Sequence, residues 1–179
     1  MKLKQCLILI FVLAVLGTAS VSALDFTSYP PAVDGGRVLL NAGVGFGTPR
    51  YGNMTIPPLT ATVDVPVALG GLPFSFGGMF GFTQSRYSSL DVAYTVLVFG
   101  GRANYHFNFG VDKLDVYGGL SLGWEMGSWD HEISRYNNYS AFYWGLQAGA
   151  RWFFTDFIGA FAELGYGLSN IKAGVAFKF

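Results

Sequence analysis

The main pattern in this chain is an alternation of apolar residues with polar or small ones. In the last nine residues, 171–179, every second position from Ile171 to Phe179 is apolar, and lysine, glycine and alanine lie between them. Successive side chains of a β-strand point to opposite faces. The pattern therefore predicts a terminal strand with one apolar face and one face that accepts charge.

The same alternation recurs along the chain and predicts eight strands. They cover approximately residues 37–47, 59–69, 73–83, 92–107, 114–127, 141–154, 157–167 and 171–179. Segments of about ten alternating residues can cross a bilayer at the tilt of a barrel. The connections after the first, third and fifth strands are long and polar, and those after the second, fourth and sixth are short. Outer-membrane barrels have this asymmetry, with short periplasmic turns and longer surface loops.

The outward-facing aromatic residues gather near both ends of the predicted strands. The two sets, periplasmic rim first, are Phe74, Tyr105, Phe107, Trp152, Phe154, Phe177 and Phe179, and then Phe46, Phe82, Trp124, Phe142 and Tyr166. Two such girdles suit the two interfaces of a membrane. A soluble sandwich or lipocalin-type calyx also has short alternating strands. Its outer face would need charges, however, and the outward positions here carry essentially none.

The first 23 residues have the features of a cleaved secretory signal peptide. Lys2 and Lys4 form a basic start, residues 7–16 are apolar, and residues 21–23 offer a cleavage site with small residues. Residues 24–36, which contain a proline pair, are predicted to be a short periplasmic lead-in, and residues 37–179 the barrel. The only cysteine, Cys6, lies in the signal peptide, so the mature chain is expected to need no disulfide.

Composition supports a membrane protein and argues against nucleic-acid binding. The chain is 51% hydrophobic, 17% aromatic and only 12% charged, whereas soluble domains carry about 25% charged residues. Without Lys2 and Lys4 the basic count falls from 11 to 9 against 11 acids, a formal net charge of −2, and no basic excess remains for nucleic acid. A closed barrel pairs every backbone group within the lipid.

With its alternating strands, unequal loops and terminal phenylalanine, the mature chain resembles the small eight-stranded bacterial outer-membrane barrels of the OmpX, OmpW and OmpA-transmembrane-domain kind. The resemblance implies an all-β, eight-stranded antiparallel up-and-down transmembrane barrel in the outer membrane of a diderm bacterium, with both termini periplasmic. It also implies that Phe177 and Phe179 belong to the signal read by the barrel-assembly machinery. Outer-membrane lipid is the other expected partner, and a monomer is expected.

Inward-facing positions collect nearly all the charge within the predicted strands: Arg37, Asp64, Arg102, Asp115, Glu125, Arg151, Glu163, Lys172 and Lys178. These charges indicate either a gated, selective lumen or a plug of paired charges. The plug is favoured because buried charges must find partners and eight strands leave room for little beyond side chains. We expect Glu163 to lie between Arg151 and Lys172, with Asp64 and Arg102 contributing, and His106 to lie near Asp115.

The most polar part of the chain, residues 128–140, is the strongest candidate for binding an extracellular ligand or host surface. Its candidate binding residues, of types enriched at interfaces, are Trp129, Arg135, Tyr136 and Tyr139. The OmpW-like resemblance implies an alternative, a conduit for small apolar solutes that leave sideways through the wall. That alternative requires an apolar pocket in the upper lumen, lined by Tyr143 and Phe161.

A barrel enzyme that modifies lipid A is the remaining alternative. One kind places a histidine, a serine and an acid on its lipid-facing surface. Here His106 is predicted to face inward, and His131 lies in a loop with Asp130, Glu132 and Ser134 beside it in sequence. No outward-facing set of this kind emerges, and sequence neighbours rarely converge on one metal ion. We therefore expect no catalysis, cofactor or metal.

Overall fold

A computed structural model describes residues 25–33, 36–47, 53–87, 92–130 and 138–179. In these ranges eight strands form a closed barrel: β1 Leu39–Phe46, β2 Asn53–Leu69, β3 Leu72–Tyr87, β4 Val92–Phe107, β5 Leu114–Trp129, β6 Tyr139–Phe153, β7 Ile158–Tyr166 and β8 Ile171–Lys178. Each strand pairs antiparallel with its sequence neighbours, and β1 closes the barrel against β8. The predicted all-β, eight-stranded antiparallel barrel is confirmed. The expected signal peptide lies outside the described residues.

The alternation in the sequence becomes the two faces of the wall. In β5, Leu120 and Leu122 point outward and are 46% and 49% exposed, whereas Ser121 between them is 4% exposed and points into the lumen. The outer surface is consequently a band of aliphatic and aromatic side chains. No helix in the described part of the chain is long and apolar enough to span a membrane.

The wall is uneven in height. Strands β2 to β6 have 15 to 17 residues, and β1, β7 and β8 have only 8 or 9. We call the end with the connections at 70–71, 108–113 and 154–157 the turn end, and the opposite end the loop end. The tall side extends the barrel at the loop end, and residues 65–69 of β2 also run past their last pair with β1 at the turn end.

The uneven height leaves part of β6 without a neighbouring strand on the β7 side. Strand β6 pairs with β5 up to Tyr139, but its last pair with β7 is Leu146 with Tyr166. Residues 139–145 therefore form a sheet edge above β7. We call the gap in the wall beside this edge the wall notch.

Prolines account for the largest error in the predicted strand bounds. Pro57 and Pro58 suggested a loop before residue 59, but β2 begins at Asn53 and absorbs both prolines through shifts in its register with β3. Strand β1 pairs with β2 only up to Leu59. The prolines therefore lie on an edge, where a missing N–H costs no ladder hydrogen bond.

Residues 25–33 are the main described part of the lead-in: Asp25 and Phe26 lie at the rim of the turn end, against Asn108 and Phe107, and the chain then enters the lumen. Ala32 and Val33 are fully buried against inward-facing side chains of the barrel, which are Leu39, Phe153, Phe161 and Ala176. A second apolar cluster occupies the loop end and contains Met79, Tyr94, Val96, Val98, Tyr143 and Leu168. Between the two clusters the lumen is filled by polar and charged side chains.

Candidate functional site

The centre of the polar layer is Arg151 on β6, which is fully buried. Its Nη1 donates to Asp115 Oδ2 at 2.6 Å, its Nη2 donates to Asp64 Oδ2, and its Nε donates to Asn41 Oδ1 at 2.9 Å. The guanidinium lies over the ring of Tyr117, with Cζ 4.2 Å from the ring centroid. The planar fork of arginine suits such simultaneous binding of two carboxylates and stacking on a ring.

A second arginine, Arg102 on β4, joins the other half of the layer. Its Nε is 3.0 Å from Asp64 Oδ1, and its Nη2 donates to Glu163 Oε2 at 3.0 Å. Asp64 therefore binds both arginines, one through each carboxylate oxygen.

Glu163 on β7 completes the layer. Its Oε1 accepts from Lys172 Nζ at 2.5 Å, and its Oε2 accepts from Tyr117 Oη at 3.1 Å in addition to Arg102. The expectation that Arg151 would hold Glu163 is wrong. Arg151 reaches Asp115 on β5 and Asp64 across the lumen, and Arg102 takes its place at Glu163.

These six groups form what we call the charge network: Arg102, Arg151, Lys172, Asp64, Asp115 and Glu163. Three formal positive charges match three formal negative ones in this set. Every side chain in it is at most 1% exposed except that of Lys172, at 14%. Amides extend the network, because Asn104 Nδ2 donates to Asp64 Oδ1 at 3.0 Å and Gln147 Nε2 donates to Asn104 Oδ1 at 2.9 Å.

Three residues that the sequence placed with these charges lie elsewhere. Arg37 precedes β1 and is exposed, with Nη1 donating to the Asp156 carbonyl at 3.4 Å, so its prediction as a lumen residue is wrong. The cause is the later start of β1, which leaves Arg37 outside the alternation. Glu125 is buried nearer the loop end and accepts from Tyr139 Oη. Lys178 lies at the turn end, where its Nζ donates to the Ala32 carbonyl at 2.9 Å.

Sequence reasoning missed one arrangement. His106 Nδ1 is 2.6 Å from Asp115 Oδ1, as the turn register predicts, and His106 Nε2 is 2.9 Å from Ser75 Oγ. Serine hydrolases use this order of nucleophile, base and acid. Here all three side chains are fully buried, and Asp115 also binds Arg151. The contacts fix the orientation of the histidine ring, and burial keeps Ser75 Oγ from solvent.

The lead-in was also missed as part of the site. Tyr29 Oη donates to the Phe74 carbonyl, Tyr105 Oη donates to the Phe26 carbonyl, and Asn108 Nδ2 donates to Ser28 Oγ at 2.8 Å. These bonds, together with buried Ala32 and Val33, close the turn end beneath the charge network. The sequence offered only a weak signal, an apolar pair directly after two prolines.

The lead-in begins with a local turn. The hydroxyl of Ser28 and the amide and hydroxyl of Thr27 donate to the exposed Asp25 carboxylate and lower its pKa to about 2. Burial raises the pKa of Tyr29 above its ordinary value. The turn also positions the backbone of Asp25, whose N–H donates to the Asn108 carbonyl at 3.1 Å.

The surface-loop candidates are only partly described. Trp129 packs its ring 4.5 Å from that of Tyr94, and Tyr139 is exposed at the loop end of β6. Arg135 and Tyr136 lie outside the described residues, as does the loop histidine. No group of three or more histidine, cysteine or acidic side chains is placed to hold a metal ion in the ranges that the structure covers.

The apolar pocket required by the conduit hypothesis is not formed by the two residues predicted for it. Tyr143 belongs to the apolar cluster at the loop end, and Phe161 belongs to the cluster at the turn end. The charge network lies between them. Strand parity places both side chains inside correctly, but parity carries no information about height along the barrel axis.

A closed eight-stranded barrel with a side-chain-filled lumen is the class that this fold and site define. No protein-family model and no curated protein sequence matches the chain. Among solved structures, the N-terminal β-barrel domain of Pseudomonas aeruginosa OprF is similar, with 17% identity and a TM-score of 0.53, over 80% of this chain and 98% of that one. The resemblance to small outer-membrane barrels therefore holds at the level of the fold.

Two structures of Ail from Yersinia pestis are also similar to the chain. The attachment invasion locus protein in complex with the heparin analogue sucrose octasulfate has 15% identity and a TM-score of 0.49, over 81% of this chain and 96% of that one. Ail in a phospholipid bilayer nanodisc has 13% identity and a TM-score of 0.46, over 80% and 99%.

Proposed function

We propose that this protein is an integral outer-membrane barrel with a closed lumen, which serves a structural or cell-surface role through its loops. In this proposal the turn end, with the C-terminus, faces the periplasm and the loop end faces the exterior. The observation that carries the proposal is the charge network, because six paired, buried charges occupy the space that a pore would need.

The outer surface supports the membrane location. Leu120, Leu146 and Leu164 are about half exposed in the middle of the wall, and aromatic side chains lie nearer both ends. A continuous apolar surface of this kind marks a membrane or protein contact. We therefore propose that outer-membrane lipid contacts this apolar band. We also propose that the barrel-assembly machinery inserts the protein into the membrane.

The lumen supports a barrel that does not conduct. The lead-in closes the turn end, the charge network fills the middle, and a second apolar cluster lies at the loop end. Eight strands enclose an interior that side chains can fill completely.

Planar bilayers test the closed lumen. The purified monomer should give at most small, intermittent conductance and should not pass sugars. A variant without residues 25–33 should leak small ions more often yet still exclude sugars, because the charge network remains. Stable, large channels from wild-type monomer would overturn the closed-lumen proposal.

The surface role is proposed for the loop at 128–140. Trp129 and Tyr139 are anchored on the barrel wall, through Tyr94 and Glu125 respectively, so the ends of this loop have fixed positions. Interface-type residues on a fixed base suit recognition of an extracellular ligand or host surface.

Cell adhesion tests the surface role. Bacteria that display the wild-type chain should adhere to host cells more than bacteria that display a variant without residues 131–137. A deletion of residues 48–52, in another loop, is the control and should leave adhesion unchanged. Equal adhesion of all three strains, at equal surface levels, would remove the surface role.

A further inference from the structure

We propose that the wall notch is a binding site for a cationic amphiphile, an ammonium group that carries a short hydrocarbon chain. A cavity of about 440 Å³ lies beside the free edge of β6. It is lined on the lumen side by Glu125, Tyr139 and Tyr143, and on the outer side by Phe142, Trp144 and Tyr166. Small-molecule pockets in proteins have volumes of about 300–1,000 Å³.

The uneven height of the wall creates this cavity. Strand β7 ends at Tyr166, and the chain turns away at Gly167, whose φ of 148° suits glycine. A side chain at Gly167 would collide with the hydroxyl of Tyr143. Tyr143 Oη accepts from the Leu168 N–H at 3.2 Å, which fixes the ring at the cavity wall.

The lumen side of the cavity selects for positive charge. Glu125 is buried, and its carboxylate accepts from Tyr139 Oη. The carboxylate attracts an ammonium group through its charge, and the tyrosine rings that line the same cavity add the attraction of their quadrupoles. The same carboxylate disfavours an anionic ligand, so the cavity discriminates by the sign of the charge.

The outer side of the cavity suits a hydrocarbon chain. The rings of Trp144 and Tyr166 lie 4.9 Å apart between centroids, and Phe142 packs edge-on against Trp124 at 5.9 Å. Trp144, Tyr166 and Phe142 are each at least half exposed. Because side chains of β6 alternate, the free edge carries the aromatic outer wall and the inner Tyr143 side by side. A ligand at this edge contacts both faces at once.

The first experiment titrates hexyltrimethylammonium into the full-length protein in a neutral detergent. Binding is measured by calorimetry and by ¹⁹F NMR of fluorotryptophan at Trp144. We expect saturable binding with a shift of the Trp144 signal. Hexanesulfonate and hexanol, which have the same chain length, should bind at least tenfold more weakly. Equal binding of hexanesulfonate, or the absence of a Trp144 shift, would overturn the proposal.

Substitutions then separate the two sides of the site. Glu125→Gln should weaken hexyltrimethylammonium binding at least tenfold and leave hexanol binding unchanged, and Asp130→Asn is the matched control with no effect. Trp144→Leu should weaken the binding of both hexyltrimethylammonium and hexanol. If Glu125→Gln does not fold, this variant alone tests whether the cation binds in the wall notch. Unchanged binding of the cation to both variants would show that it sits elsewhere.

A competition experiment identifies the source of the ammonium group. Dihexanoyl phosphatidylethanolamine also offers an amine on an apolar body, but its phosphate would lie beside Glu125. It should compete at least tenfold less well than free hexyltrimethylammonium. Equal competition would assign the notch to lipid and overturn the proposal of a free cation. None of these measurements depends on whether the lumen conducts.

Discussion

Replacing Glu163 by glutamine is the sharpest test of the charge network. Glu163 accepts from Arg102, Lys172 and Tyr117 at 3.0, 2.5 and 3.1 Å. Glutamine has nearly the same shape but no charge, and its amide NH₂ faces groups that are themselves donors. The change therefore leaves two cations short of a partner without opening a cavity.

The size of the effect follows from burial. Removing one partner of a buried ion pair costs about 3–5 kcal/mol, and Glu163 and Arg102 are both about 1% exposed. Lys172 is 14% exposed and reaches solvent more easily. Lys172→Met also leaves Glu163 with Arg102 and Tyr117, so it should cost only about 1–2 kcal/mol, between the values for a charged hydrogen bond and a surface pair.

The assay is urea unfolding of the barrel refolded in phosphatidylcholine vesicles, followed by tryptophan fluorescence and by the gel shift between unheated and boiled protein. Asp156→Asn, at an exposed carboxylate in the β6–β7 turn, is the control and should change the free energy of unfolding by less than about 0.5 kcal/mol. The double variant of Glu163→Gln with Lys172→Met should lose less than the sum of the single losses, because the two side chains are in contact.

Two results would refute this reasoning. A loss below about 1 kcal/mol for Glu163→Gln would mean that the pair is not desolvated as the structure describes it. A larger loss for Lys172→Met than for Glu163→Gln would mean that Lys172, and not Arg102, is the principal partner of the carboxylate.

Three further predictions concern the wall, the C-terminus and the lead-in. Leu122→Arg should lower the free energy of unfolding by about 2–4 kcal/mol in lipid and by less in detergent. Ser121→Arg should lower it by the same amount in lipid and in detergent, because the arginine overfills the lumen. Equal behaviour of the two variants in urea titrations would contradict the assigned faces. Removing Phe179 should lower the yield of membrane-embedded, folded protein more than export to the periplasm, measured by cell fractionation, and unchanged yields would argue against its role in assembly. Because the folded pKa of Asp25, about 2, lies below its ordinary value of 3.8, its stabilising effect on the lead-in is complete well above pH 4 and is lost as the pH falls toward 2. Amide exchange at Thr27 should show this loss, and Asp25→Asn should abolish the pH dependence.

The sequence was most informative about which way each side chain points. Strand alternation has a period of two, so Leu120, Ser121 and Leu122 could be assigned to faces without any knowledge of the neighbouring strands. The same pattern predicted eight strands and the unequal loops. Strand ends were less predictable. Pro57 and Pro58 would interrupt a strand that is paired on both sides, but an edge segment can contain them. Which part of β2 is an edge depends on where β1 stops.

The pairings inside the lumen could be predicted only where two strands are joined by a short turn. His106 and Asp115 flank such a turn, and their contact follows from its register. Arg102 on β4 and Glu163 on β7 are not on neighbouring strands. Their contact exists because the sheet closes into a barrel, so that side chains from opposite walls meet in the lumen. The pattern of residues along the chain does not indicate which side chains are close across the lumen.

The lead-in and the wall notch were decided by the tertiary structure alone. Ala32 and Val33 have no periodicity to mark them, and they are buried because they pack against inward-facing apolar side chains from four strands of the barrel. The notch exists because β6 is longer than β7, and its inner and outer side chains belong to three different strands. Local alternation determines the face of each residue, whereas closure, strand length and height along the axis determine which residues meet.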